Sequence, residues 1–452
     1  MQKSTVKLCR NRRFFDKSAG RHHNKYMQYF DRIIDRELAE LLQEVPAVSI
    51  VGAKGVGKTE TAKRLASTVL RVDVSAPAKA LASSMENLAK VARWPVLIDE
   101  WPKAASSWNN VRRIIDDEPG LNRFILTGST SGTGLNLHSG AGRIVQLNMH
   151  TMSIAERGLC EQVISISELL DGKSYDGAYE QSLMCLEDYA HEIFASGFPG
   201  IRNHSDRGIK ALLQGYLAAI VERDFEELGV VVRKPHVLKA WLTAYAAATG
   251  TTTSYAKILR ASTQGEDKMP SKDTTLVYRD TLDRLYLTER VDPWLPSTNP
   301  IAALGRSQKH FLADPALALS LLKLSKRDLF IGAEDMAVGK SRDNSLFGRL
   351  FENLVAISLK VYARCAGAEL YHFRTTDSRH EVDFIVERGN DLLGIEVKLS
   401  PEVSPEDGHE LNWLESQISE TRRFTKIIIN TGTHAYKRPD NILVAPLALL
   451  GT

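Results

Sequence analysis

An α/β chain with a parallel-sheet nucleotide domain and a second α/β domain near its C-terminus is the fold class this sequence predicts, and three stretches predict it. The first is Ser49-Ile50-Val51-Gly52-Ala53-Lys54-Gly55-Val56-Gly57-Lys58-Thr59-Glu60-Thr61, an apolar strand that runs through a glycine-rich loop into a helix starting near Lys58. The second is Pro95-Val96-Leu97-Ile98-Asp99-Glu100, an unbroken apolar run ending in two acids, as in a parallel strand buried on both faces. The third is a strand pair, 381–386 and 392–399, joined by a polar turn at 387–391 and carrying acids and a lysine among apolar residues.

The first stretch fits the full phosphate-binding P-loop pattern between strand and helix. Gly52, Gly55 and Gly57 permit the positive dihedrals that let successive N–H groups converge on phosphate oxygens, and the helix adds its positive dipole end. Gly52, Ala53, Lys54, Gly55, Val56, Gly57, Lys58, Thr59 and Glu60 are therefore the predicted ATP-binding residues. Lys58 would neutralise the β- and γ-phosphates, and the Thr59 hydroxyl would enter the Mg²⁺ shell. Asp99 would hold Mg²⁺ through water, while Glu100 would orient and polarise the attacking water.

The remaining elements follow in order. Phe30, Ile33, Ile34, Leu38, Leu41, Leu42 and Val45 recur at helical spacing, and Pro46 ends that helix. The P-loop helix is predicted to bury Ala62, Leu65, Ala66 and Val69, followed by a short strand at 70–74 and a helix at 77–93. A helix at 105–117 precedes the strand Arg123-Phe124-Ile125-Leu126-Thr127-Gly128-Ser129. Ser129 reads equally as a γ-phosphate sensor or a helix cap. Arg143, after the flexible Ser139-Gly140-Ala141-Gly142, is placed to act as an arginine finger on a neighbouring subunit or to pair with a surface acid. Residues 208–262 read as helical, a helix at 273–287 leads into a strand at 288–291, and a polar loop at 263–272 lies between.

Composition bounds the function. With 452 residues the chain suggests two or three domains, and 43% apolar with 25% charged residues is the balance of a soluble globular protein. No apolar run approaches the roughly eighteen residues of a membrane span and no secretory signal opens the chain, so a cytoplasmic location without a membrane partner is expected. Cys9, Cys160, Cys185 and Cys365 lie too far apart for a zinc site or a disulfide framework. The net charge of +3 is uneven: residues 1–26 hold eight Lys or Arg against Asp16 alone, a solvated tail or a nucleic-acid arm.

Gly52–Thr59, Val96-Leu97-Ile98-Asp99-Glu100-Trp101, Leu126-Thr127-Gly128-Ser129 and Gly142-Arg143, in this order, resemble prokaryotic AAA+-type ATPases that carry a C-terminal domain of unknown function. Ser196-Gly197-Phe198-Pro199-Gly200 and Glu222-Arg223-Asp224 resemble the segments that link that core to its helical lid. The resemblance implies an ATPase working as a homo-oligomer, a hexameric ring, because the family's arginine reaches across a subunit boundary. It makes Arg223 the candidate lid arginine and the region from 231 a winged-helix-like module. The implied division is a basic tail 1–27, an ATPase core 28–165, a helical lid 166–230, a winged-helix-like module 231–325 and a C-terminal domain 326–452.

In that last domain the predicted helix 347–362 carries Glu352, and Asp383 lies on one strand of the hairpin. Glu396 and Lys398, two apart, share a face of the other. Carboxylates that gather with a lysine in this way can hold Mg²⁺ and activate water. The arrangement and its helix–strand–hairpin order resemble the PD-(D/E)XK nucleases, which makes Asp383 and Glu396 the candidate metal ligands there. A helix near 407–422 and strands 426–430 and 442–445 close the chain. Two functions follow as expectations: an ATPase that remodels or processes DNA with a nuclease-like domain, or an ATP-controlled regulatory switch whose C-terminal domain docks a partner without catalysis.

Overall fold

The computed structural model describes residues 29–84, 87, 88, 90, 93–130, 140–175, 181–263, 272–295, 307–330 and 345–452. The basic tail, Cys9, Ser139 and most of the polar loop before the helix at 272 lie outside these residues. Strands β1 (Ala47–Val51), β2 (Thr68–Arg71), β3 (Val96–Asp99), β4 (Phe124–Gly128) and β5 (Ile144–Asn148) form an all-parallel sheet in the order β2-β3-β4-β1-β5. The interior strands β1, β3 and β4 are buried at every residue, which explains their unbroken apolar runs. Alternate residues serve two cores. Val48, Ile50, Leu97 and Ile125 pack with Ile34 and Leu38, whereas Val96, Ile98, Phe124 and Leu126 pack with Val111 and Ile114 of the helix Ser106–Asp117.

The insertion of β4 between β1 and β3 brings the carboxyl ends of three strands to one edge, where α/β sheets bind their ligands. The P-loop helix is shorter than its apolar spacing predicts, Lys58–Lys63, and Val69 lies instead on the edge strand β2 with 41% exposure. A helix ending and a strand beginning within a few residues blur their periodicities into one.

Beyond β6 (Ile164–Ser165) the chain is helical: Leu186–Ala195, Pro199–Arg202 and Asp206–Ala219, the last running through a π-turn at Ile220–Asp224 into Phe225–Glu227. Helices Pro235–Ala247, Tyr255–Ser262 and Lys272–Arg284 then lead into the hairpin β7 (Thr288–Pro293) and β8 (Lys309–Leu312), with Thr251 bridging to His310. This hairpin does not end its own sheet. Asp292 and Pro293 of β7 pair in parallel with Tyr371 and His372 of β9 (Glu369–Arg374).

The resulting sheet has eight strands in the order β13-β14-β12-β11-β10-β9-β7-β8, where β10 is Glu381–Arg388, β11 Asp391–Val397, β12 Arg423–Asn430, β13 Tyr436–Lys437 and β14 Leu443–Pro446. In its central part β10 runs against β9 and β11, while β12 and β14 run parallel to β11. The helix Leu346–Cys365 covers one face, and the helix His409–Gln417 covers the other through Leu411 and Leu414. Finally β15 (Leu450–Gly451) pairs with β6, so the chain end returns to the segment that leaves the nucleotide domain. Among the described residues no helix is long and apolar enough to cross a membrane.

Candidate functional site

Gly52, Gly55 and Gly57 all adopt positive φ, as a phosphate loop requires. At Gly52 the requirement is also steric, because an added Cβ would stand 2.2 Å from the Met149 carbonyl oxygen just past β5. Gly52→Ala is expected to cost about 2 kcal/mol or more and to abolish nucleotide binding, read as a lowered melting temperature and a failed fluorescent-nucleotide titration.

The buried Lys58 ammonium donates to the carbonyls of Gly52 at 2.7 Å and Ala53 at 2.8 Å. Burial lowers its pKa to about 8, against the opposing pull of Glu100 and Asp99. A bound phosphate favours the ammonium, so above about pH 8 binding must take up a proton. Nucleotide affinity is therefore expected to be flat below pH 8 and to fall by up to about tenfold per unit above it, checked by titrations between about pH 7 and 9.5.

The acids of β3 sit where the sequence predicts. Asp99 Oδ1 accepts from Thr59 Oγ1 and from Thr127 Oγ1, both at 2.6 Å, and Thr127 Oγ1 also accepts from the Glu100 amide at 3.2 Å. Glu100 turns off the strand with φ 56°, and its Oε2 accepts from Ser129 Oγ at 3.1 Å. Ser129 is thus tied to the candidate base. Thr59 and Asp99 offer adjacent hard oxygens at the start of a helix, a donor set that suits Mg²⁺; when bound, that ion supplies charge neutralisation at the phosphates.

Around this centre the other predicted residues divide. Lys54 pairs outward with Asp224 at 2.6 Å and Glu227 at 3.3 Å, and Tyr216 Oη donates to its carbonyl, so the π-turn is clasped onto the loop. Glu227 also pairs with Lys103 at 3.3 Å. Glu60 points to the surface and pairs with Lys63, and Arg223 is exposed. Ala53 and Val56 are buried under the loop. Within the chain, Arg143 forms the surface pair, 2.9 Å from Asp116.

Arg32 escaped the sequence reading. Its guanidinium donates to the carbonyls of Val56 at 2.7 Å and His150 at 2.8 Å while Nε pairs with Glu156 at 3.0 Å, which braces the P-loop from behind. No local pattern marks it.

In the C-terminal domain Glu352, Asp383, Glu396 and Lys398 do converge. A bulge in the β9–β10 pairing between Val382 and Ile385 interrupts the alternation at Asp383 and re-aims it. Asp383 Oδ2 accepts the Val397 amide at 3.0 Å, beyond the last Phe384–Ile395 rung of the β10–β11 ladder. Lys398 lies 3.6 Å from both Glu396 and Asp407.

A second lysine, unforeseen from sequence, occupies the cluster. Lys309 Nζ stands 2.5 Å from Glu352, 3.0 Å from Asp383 and 3.6 Å from Glu381. In a flat sheet β8 and β10 would lie about 14 Å apart, beyond a lysine's reach, so the sheet curls shut here, and Phe311 packs against Phe384.

Electrostatics follow from burial. Burial pushes Glu352 up to about 8 despite Lys309, and burial with the Asp383 charge pushes Glu396 well above the carboxylate range. For Asp383 burial acts upward too, but Lys309 and Lys398 outweigh it and hold the group ionised. Among the described residues no group of three or more His, Cys, Asp or Glu is arranged to hold a metal ion. The expectation that Asp383 and Glu396 bind metal therefore meets a cluster in which Lys309 already supplies the cation.

Comparison with known proteins agrees with the first half of this geometry. A family described as an AAA domain matches residues 44–157, and two domains of unknown function, DUF8612 and DUF4143, match 186–328 and 347–450. An uncharacterized protein of Mycobacterium tuberculosis and one of Mycobacterium bovis are each 23% identical over 417 residues, covering 90% of this chain and 82% of the relative. A chain in the structure of Drosophila ORC bound to DNA aligns with 64% of this chain and 94% of its own length, at 15% identity and a TM-score of 0.22, a likeness too distant to carry an argument. The chain thus carries an AAA-type ATPase domain followed by two domains whose families have no assigned function.

Proposed function

We propose that this protein is a Mg²⁺-dependent AAA+-type ATPase that acts on DNA as a ring-forming homo-oligomer, with a PD-(D/E)XK nuclease-like C-terminal domain. The observation that carries the ATPase half is the hydrogen-bonded set at the sheet edge: Thr59 and Thr127 on Asp99, and Ser129 on Glu100. Glu100 is held beside the phosphate loop with one carboxylate oxygen engaged by Ser129, which leaves the other to accept a proton from water. Arg143, exposed and paired only loosely to a surface acid, is the group that would leave Asp116 for a neighbour's nucleotide.

The DNA half is supported by topology and by the second cluster. Helix 346–365, the meander β9-β10-β11, helix 409–417 and β12 follow the element order of the nuclease fold, with β10 opposed to its neighbours and the bulge at Asp383. Three helices, the Thr251 bridge and the β7–β8 hairpin fit a winged-helix-like module. The test is binding of the pure protein to duplex, branched and single-stranded DNA with and without ATP. Binding should need ATP and weaken steeply with salt; its absence on every substrate would end the DNA reading.

Two observations favour the second reading, an ATP-controlled switch with a non-catalytic docking domain. Lys309 fills the carboxylate cluster, and the helix Lys272–Arg284 that would face DNA is charge-balanced, with Leu276 and Val277 exposed. Slow turnover, nucleotide-dependent assembly and no DNA affinity would select it.

A further inference from the structure

The carboxylate cluster is closed by a residue from another module. Lys309 stands on β8, inside the stretch matched by DUF8612, whereas Glu352, Glu381, Asp383 and Glu396 belong to the stretch matched by DUF4143. Its side chain is 3% exposed, so the ammonium has exchanged its hydration for three carboxylates at 2.5, 3.0 and 3.6 Å. That is the service a divalent cation performs for such a cluster. One ligand is left over: Glu396 Oε1 is buried without a hydrogen-bond partner, and its Oε2 has Lys398 no nearer than 3.6 Å. A buried carboxylate oxygen in this state has unused coordination capacity.

We propose that Lys309 is a built-in cation that plugs a divalent-metal site of Asp383, Glu396 and Glu352, and that moving the β7–β8 hairpin opens this site. The inference rests on the nuclease-like reading of the C-terminal domain and adds how that site is kept shut. The hairpin is suited to move as a unit. Its strands pair over Thr288–Val291, but only Asp292 and Pro293 tie it to β9. It also reports on the nucleotide domain, because Glu289 on β7 bonds His150, just past β5, at 2.8 Å and Lys360 of the C-terminal helix at 2.5 Å. A shift of the nucleotide domain that pulls Glu289 draws the strand paired to Lys309 with it.

The test is Mn²⁺ binding to the full, nucleotide-free chain, followed by electron paramagnetic resonance of free Mn²⁺. Wild type should show no site that Asp383→Asn removes. Lys309→Met should gain one Mn²⁺ per chain, lost again in Lys309→Met/Asp383→Asn, and its melting temperature should rise with Mn²⁺ where wild type does not respond. Because removal of a buried cation from among carboxylates threatens folding, Lys309→Met/Glu352→Gln provides a milder variant that keeps Asp383 and Glu396. Asp383-dependent Mn²⁺ binding in wild type, or a folded variant at 309 that binds none, overturns the proposal. DNA cleavage separates the two readings. Metal binding by Lys309→Met without cleavage of linear, branched or supercoiled DNA upholds the plug and ends the nuclease, whereas Asp383-dependent cleavage by wild type upholds the nuclease and ends the plug.

Discussion

Glu100→Gln is expected to hold ATP and to hydrolyse it about 10²–10⁴-fold more slowly than wild type, the usual contribution of a positioned general base. The substitution keeps the shape of the side chain and an oxygen that can still accept from Ser129 Oγ, so the sheet edge is undisturbed. The residue's φ of 56° is as accessible to glutamine as to glutamate, so no backbone strain is added. What is lost is the group that takes the proton from water. Lys58→Ala removes something different: the ammonium that now bonds the Gly52 and Ala53 carbonyls, and with it the charge that meets the phosphates. It should therefore fail at binding. Phosphate release measured beside retention of labelled ATP distinguishes the two, and normal turnover by Glu100→Gln would place the base elsewhere.

The nucleotide site was legible because its chemistry is local. Strand, glycine loop and helix occupy one continuous stretch, and Asp99-Glu100 closes an apolar run that only a buried parallel strand explains. Where the reading slipped, two elements met too closely for periodicity to part them, as at Lys63 and Thr68. The second cluster was half legible. Asp383, Glu396 and Lys398 share a hairpin, but Lys309 sits in the short strand Lys309–Leu312 and meets its partners only because β7 joins β9 and the sheet curls. Pairing between strands so distant in sequence leaves no local mark. Arg32 is the same case: its partners Val56, His150 and Glu156 are set by the fold alone.

Glu192→Ala is expected to cost about 3–5 kcal/mol, although the residue touches no predicted catalytic group. Glu192 Oε2 accepts from Arg157 Nη1 at 2.9 Å and from Arg202 Nη2 at 3.0 Å, and all three side chains are less than 8% exposed. Truncation leaves two guanidinium groups buried without their counter-charge. The site joins the end of the nucleotide domain to Pro199–Arg202, and there Phe198 and Pro199 approach Gly55 and Gly57 of the phosphate loop. Loss of the anion should thus loosen the contact behind the loop and weaken nucleotide binding as well as lower the melting temperature, by an amount on the order of 10 °C. The pH dependence carries the sign. Burial raises the Glu192 pKa, but Arg157 and Arg202 outweigh it and hold the group below its usual value. Its stabilisation is therefore complete above the unfolded carboxyl pKa of about 4.3 and is lost as pH falls through the depressed folded value. Glu192→Gln, which keeps hydrogen bonds but no charge, should fall between wild type and Glu192→Ala at neutral pH and should converge on wild type in acid. Parallel curves at all pH values would mean that packing, not charge, holds this junction.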